Sequence, residues 1–123
     1  MNISAIVFQT LRSLCDNRVY QNDFPQQPLP EWPAIRYRIR NSPFPTICGT
    51  DEGQADEYTV ALEVVAKSPA AAKTLRDQAL AALAAVTTPP YVRGDGFSFK
   101  DHVTKTARYV VEGAFHPATP AGQ

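Results

Sequence analysis

Two stretches of strict alternation constrain this chain most. In Ile35-Arg36-Tyr37-Arg38-Ile39-Arg40 an apolar and a basic residue swap at every step. Ile35, Tyr37 and Ile39 therefore share one face of a strand, and Arg36, Arg38 and Arg40 share the other. A second run repeats the pattern: Tyr58, Val60, Leu62 and Val64 fall on one face, Glu57, Thr59, Ala61 and Glu63 on the other. A helix cannot segregate residues of period two, so both runs are strands. The polar segment from Asn41 to Asp56 joins them, which predicts an antiparallel hairpin with a long loop. That pairing puts the arginines of one strand on the same face as the glutamates of the next, where cross-strand ion pairs can form.

The apolar face of such a sheet needs cover, and two segments supply it. Residues 2–15 carry Ile3, Ile6, Val7, Leu11 and Leu14 at helical spacing, widened by Phe8 and Cys15, with Asn2 or Ser4 available as the N-cap. Ser68-Pro69 opens a second helix, a capping hydroxyl followed by proline at the first helical position. This Ala-rich helix runs to Val86 with Ala72, Leu75, Ala79, Ala82, Leu83 and Val86 on one stripe, and Thr87-Thr88-Pro89-Pro90 stops it. Between the first helix and Ala34, Asn17-Arg18-Val19-Tyr20 has room for one brief strand. Pro25, Pro28, Pro30 and Pro33 then impose an extended loop. Tyr91 to Phe115 reads as two more strands, one marked by Phe97 and Phe99, the other by Ala107-Arg108-Tyr109-Val110-Val111. The expected fold is α+β, an antiparallel sheet of about four strands with two helices packed on one face. Residues 1–116 form a single domain and 117–123 a flexible C-terminal tail.

Composition excludes several classes of function. Twelve basic and twelve acidic residues cancel in a chain of 123, so bulk charge draws it neither to nucleic acid nor to an acidic membrane. No apolar run approaches the roughly 18 residues of a membrane span, and Met1-Asn2-Ile3-Ser4-Ala5 lacks the pattern of a signal peptide. Cys15 and Cys48 stand far apart and read as reduced thiols. With His102 and His116 they are too scattered for a structural zinc site. No nucleophile elbow, phosphate loop or metalloprotease motif occurs, so no catalytic residue, metal or cofactor is expected. Arg93-Gly94-Asp95-Gly96 reads as a hairpin turn whose glycines supply positive φ. The acids Asp51, Glu52, Asp56 and Glu57 lose calcium-loop spacing after Glu52. They read as a solvated loop or as an arm reaching a neighbouring subunit. Trp32 is either an exposed anchor for a partner or a lid on the helix–sheet core.

The arginine stripe admits two readings, a basic surface turned to a partner or a solvated strand face neutralised by Glu57 and Glu63. The order of elements then points outward from the chain. A helix leads to Asn17-Arg18-Val19-Tyr20, Asp23-Phe24-Pro25-Gln26 and Leu29-Pro30. The strand Ala34-Ile35-Arg36-Tyr37-Arg38-Ile39 and a variable loop follow. Tyr58-Thr59-Val60-Ala61-Leu62-Glu63-Val64 then runs into Ser68-Pro69-Ala70-Ala71-Ala72 and a long helix. This arrangement resembles the small tail completion, or tail terminator, proteins of long-tailed bacteriophages and their prophage relatives.

The resemblance implies a structural protein without enzymatic activity or cofactor, placed in the virion tail and in the host cytoplasm during assembly. Its partners would be further copies of itself in a ring, often a hexamer, together with the tail tube protein and a head–tail connector protein. The ring would cap the head-proximal end of the tube, stop its polymerisation and offer a surface for joining the head. DNA would pass through the lumen without sequence-specific binding, and no membrane is involved. On this reading Arg36, Arg38 and Arg40, with Asp51, Glu52, Asp56 and Glu57, are the candidates for subunit-interface or lumen-facing positions. The alternatives are a head-completion or connector protein, and a small α+β ligand-binding dimer.

Overall fold

The computed structural model describes residues 2–26, 28–43, 56–87 and 90–115. In chain order these form α1 (Ile3–Leu11), a 3-10 turn (Arg12–Leu14), β1 (Val19–Gln21), β2 (Ala34–Pro43) and β3 (Asp56–Ala66). Then come α2 (Pro69–Ala84), β4 (Tyr91–Asp101) and β5 (Thr106–Phe115). Both helices begin where the capping residues predict. The Asn2 side chain accepts from the Ala5 amide at 3.0 Å, and Ser68 Oγ from the Ala71 amide at 3.1 Å, with Pro69 directly behind it. The apolar stripe of residues 2–15 is divided between α1 and the 3-10 turn. Asp16 and Asn17 then take φ of 51° and 65°, left-handed conformations that short polar side chains tolerate and that end the helix.

The sheet has five strands in the order β1-β2-β3-β5-β4. The alternating runs pair as expected, antiparallel, with Arg36 opposite Glu63 and Ile39 opposite Val60. β3–β5 and β4–β5 are also antiparallel. The expectation of about four antiparallel strands is corrected at one edge. Val19–Gln21 is a fifth strand and runs parallel to β2, with Val19 opposite Ile35. The cause is the segment after it: residues 22–33 carry the chain back along the sheet before β2 starts, so the two strands point the same way. A tight hairpin there would have made them antiparallel.

Both helices cover the same face. Ile3, Val7 and Leu11 of α1 and Leu75, Ala79 and Leu83 of α2 meet Ile35, Tyr37, Val60, Leu62, Val64 and Phe115 in one core cluster. Leu62 and Phe115 have no exposed surface, and removing such a side chain from water contributes about 1.5–3 kcal/mol. Ala79 keeps the middle of α2 close to the strands beneath it.

The expected turn at Arg93-Gly94-Asp95 is also corrected. These residues lie inside β4, at a bulge between Arg93 and Gly96, and neither glycine is in the left-handed region. The glycines are used for close approach. A Cβ on Gly94 would overlap the Glu112 carbonyl oxygen, and one on Gly96 would come within 2.6 Å of the Val110 carbonyl oxygen. The β4–β5 turn itself is made downstream. Asp101 Oδ1 accepts from the amides of Val103 (2.9 Å) and Thr104 (3.2 Å), and Lys105 takes φ 56°.

Candidate interaction surface

Strand alternation fixes what the uncovered face of the sheet displays. With Ile35, Tyr37 and Ile39 turned to the helices, Arg36, Arg38 and Arg40 lie on the opposite face. Reading across the register, Arg36 is followed by Glu63, Val110 and Phe97, while Arg38 is followed by Ala61 and Glu112. Arg40 is followed by Thr59, Ala114 and Val92.

The three arginines separate into two kinds. Arg36 is half-buried, with Nη2 3.1 Å from Glu63 Oε1 and Nη1 3.5 Å from Asp23. Glu63 in turn accepts from Arg108 Nη1 at 2.7 Å, and Arg108 Nη2 lies 3.2 Å from Asp101 Oδ2. Glu63 and Arg108 are each only 8% exposed. They are roofed by the proline-rich loop, whose Phe24 and Trp32 rings stand edge to face, centroids 5.3 Å apart, over the Arg108 guanidinium. Trp32 thus fits neither expectation. It is half-buried outside the main helix–sheet core, packs with Phe24, Ala34 and Val65, and also borders a hollow shared with Leu14 and the Ala71 and Leu75 side of α2. Arg38 and Arg40 are exposed and face Ala61 and Thr59 across the ladder. Among the described residues they have no ion-pair partner. Of the remaining candidates, Asp51 and Glu52 lie outside the described residues. Asp56 and Glu57 open β3 opposite Pro43 and Ser42, away from the Arg36–Glu63–Arg108 cluster.

β4 was not expected to be a surface in its own right. It is an edge strand, and every residue from Val92 to Lys100 is exposed. Phe97 (63% exposed) and Phe99 (42%) stack on each other with centroids 6.1 Å apart. A long edge strand bearing bare aromatics is an available site for pairing with another chain. The sequence signal was the parity: the phenylalanines alternate with Gly96, Ser98 and Lys100, which are too small or too polar to lie on the core face as a helix-covered row.

The perturbed groups are structural. Amides of the hairpin, Thr104 first, hold the Asp101 carboxyl below its ordinary range, helped by Arg108. Burial pushes up the Cys15 thiol, which donates to the Arg18 carbonyl at 3.3 Å. Burial likewise raises Tyr91, whose hydroxyl is enclosed above Gly113 without a partner among the described residues. Among the described residues no three His, Cys, Asp or Glu side chains converge as a metal-binding group would. No helix among them is long and apolar enough to cross a membrane.

No family model matches this chain, and no curated protein matches it. Among solved structures it is similar to a chain described as the virion of native gene transfer agent (GTA) particle. The two share 14% sequence identity with a TM-score of 0.63, over 89% of this chain and 90% of the other. The likeness is one of fold.

Proposed function

We propose that this chain is a structural subunit of a phage-like virion, and within it the tail terminator. On this reading, copies close into a ring at the head-proximal end of the tail tube, stop its growth and offer the surface to which the head is joined. The observation that carries the proposal is the fold shared, over nine-tenths of both chains, with a chain from a gene transfer agent virion. The order of sequence elements supports it independently. The surface suits a ring: a cyclic assembly needs two different patches per copy that complement each other. This domain offers the edge strand β4 with Phe97 and Phe99 at one side of the sheet, and towards the other the exposed Arg38 and Arg40, which have no ion-pair partner among the described residues. The role requires no chemistry of the chain's own. Arg36 is committed to Glu63, so Arg38 and Arg40 are the positions proposed to face a neighbour or the DNA in the lumen.

Deletion of the gene from a tail-producing host, followed by electron microscopy of lysates, tests the assignment. The expected result is overlong tails without heads. Tails of normal length would remove it, and normal tails lying beside unattached heads would give the connector role instead.

A further inference from the structure

A second charged site lies at the end of the sheet remote from the β2–β3 connection. β3 ends at Ala66, and Lys67 follows it into the start of α2, while β4 and β5 meet at the Asp101–Thr106 turn. Between these elements is a hollow of about 370 Å³, lined by Lys67, Pro69, Lys100, His102 and Lys105. All three lysines are exposed, and among the described residues none has an ion-pair partner. The one carboxylate at its rim, Asp101, is already engaged by two turn amides and by Arg108. The hollow is therefore a concentrated positive site in a chain whose total charge is zero.

The complement is within the same sequence. Between Arg40 and Lys67 there is no basic residue at all, and Asp51, Glu52, Asp56 and Glu57 fall within seven positions of one another. The chain's own hollow is out of their reach. β3 spans Asp56–Ala66, about 34 Å at about 3.4 Å per residue. Asp51 is five residues from Asp56, which allows at most about 17 Å even fully extended. The acidic segment of one molecule can reach a lysine hollow only in another.

We propose that the hollow between Lys67, Lys100 and Lys105 receives the acidic segment of residues 51–57 of a second copy. The contact is head to tail, because donor and receiver sit at opposite ends of the sheet. Each copy can give and receive at once, as a closed ring requires, and opposite charge fixes which ends meet. The inference specifies the contact between copies that the terminator reading needs.

The test uses the full-length chain and a fluorescent peptide of residues 49–58. At about 0.01 M ionic strength, where the screening length is about 30 Å, fluorescence anisotropy should report binding that disappears near 1 M, where it is about 3 Å. K67E/K100E, both exposed positions, should weaken binding at least about tenfold with the circular dichroism spectrum unchanged, whereas R38S/R40S should bind like the parent. In assembly, K67E/K100E and D51K/E52K should each abolish rings on tail tubes, and their combination should restore them. No peptide binding at low salt, equal binding by K67E/K100E, or preferential capture of duplex DNA by the same lysines would overturn the proposal. Failure of the two readings is separable. Peptide binding with normal tails in the gene deletion removes only the terminator role, and overlong tails without peptide binding remove only this contact.

Discussion

Glu63→Gln is the perturbation whose size follows most directly from the structure. Glu63 is 8% exposed and holds two guanidinium groups, Arg36 at 3.1 Å on Oε1 and Arg108 at 2.7 Å on Oε2. Glutamine keeps the shape but offers one acceptor, and its amide nitrogen must face the other guanidinium, donor against donor. Arg108 then keeps Asp101 at 3.2 Å and loses its nearer carboxylate while remaining 8% exposed. Breaking a buried pair from one side is destabilising by about 3–5 kcal/mol. The surviving Asp101 contact places E63Q at the lower end, about 3 kcal/mol. For a domain of this size that is a fall in Tm of about 10 °C. Urea unfolding followed by far-ultraviolet circular dichroism and by fluorescence of Trp32, the single tryptophan, measures it with the slope m unchanged. E63L/R108M should recover most of the loss, because it removes both buried charges, while the partners left behind are less buried: Arg36 keeps Asp23 and Asp101 keeps the turn amides. R38S/R40S, on the neighbouring strand β2 and with no ion-pair partner among the described residues, should stay within about 0.5 kcal/mol of the parent. An E63Q change below about 0.5 kcal/mol, or one equal to that of R38S/R40S, would refute the division of the arginine stripe into a structural and a free part.

Three further outcomes are expected. Gly94→Ala should destabilise the β4–β5 ladder by about 1–3 kcal/mol, since the new methyl meets the Glu112 carbonyl; hydrogen exchange of the β5 amides reads this, and parent-like protection would contradict it. Asp101 contributes stability as a carboxylate whose folded pKa is depressed, so that contribution is present above its unfolded pKa and lost as pH falls through the folded one. D101N should accordingly flatten the acid limb of the stability–pH curve, and an identical limb would show that the turn amides do not hold the charge. Cys15, buried and with its thiol pKa raised, should react with iodoacetamide only when the domain opens, in step with urea unfolding and not before it.

Much of the architecture is legible in local patterns. The period-two runs specify the β2–β3 hairpin and put the arginines on the same face as the glutamates, because face follows from alternation; that Arg36 meets Glu63 is set by the register, which alternation alone does not fix. Asn2, Ser68 and Pro69 mark both helix starts through the hydrogen bonds that the first turn needs. What stays hidden is set by distant segments. Nothing beside Arg108 in sequence marks it as buried; its partner Glu63 and its roof, Phe24 and Trp32, come from 45 or more residues away. The parallel direction of β1 depends on the path of residues 22–33, not on Val19–Gln21. Gly94 and Gly96 resemble turn glycines, and only the neighbouring strand reveals that they serve backbone approach. The surface was legible in part. The arginine stripe is visible as three equal residues, but which of them is free depends on which has a carboxylate across the ladder.

The central claim, that this domain works through its surfaces as a ring on a tail tube, is tested most directly by adding the purified chain to isolated tail tubes and imaging the ends by electron cryo-microscopy. The account predicts a closed ring of this chain at one end of each tube, and tubes that no longer lengthen when free tube protein is supplied. Bare ends with continued growth, while the folded chain remains free in solution, would contradict it.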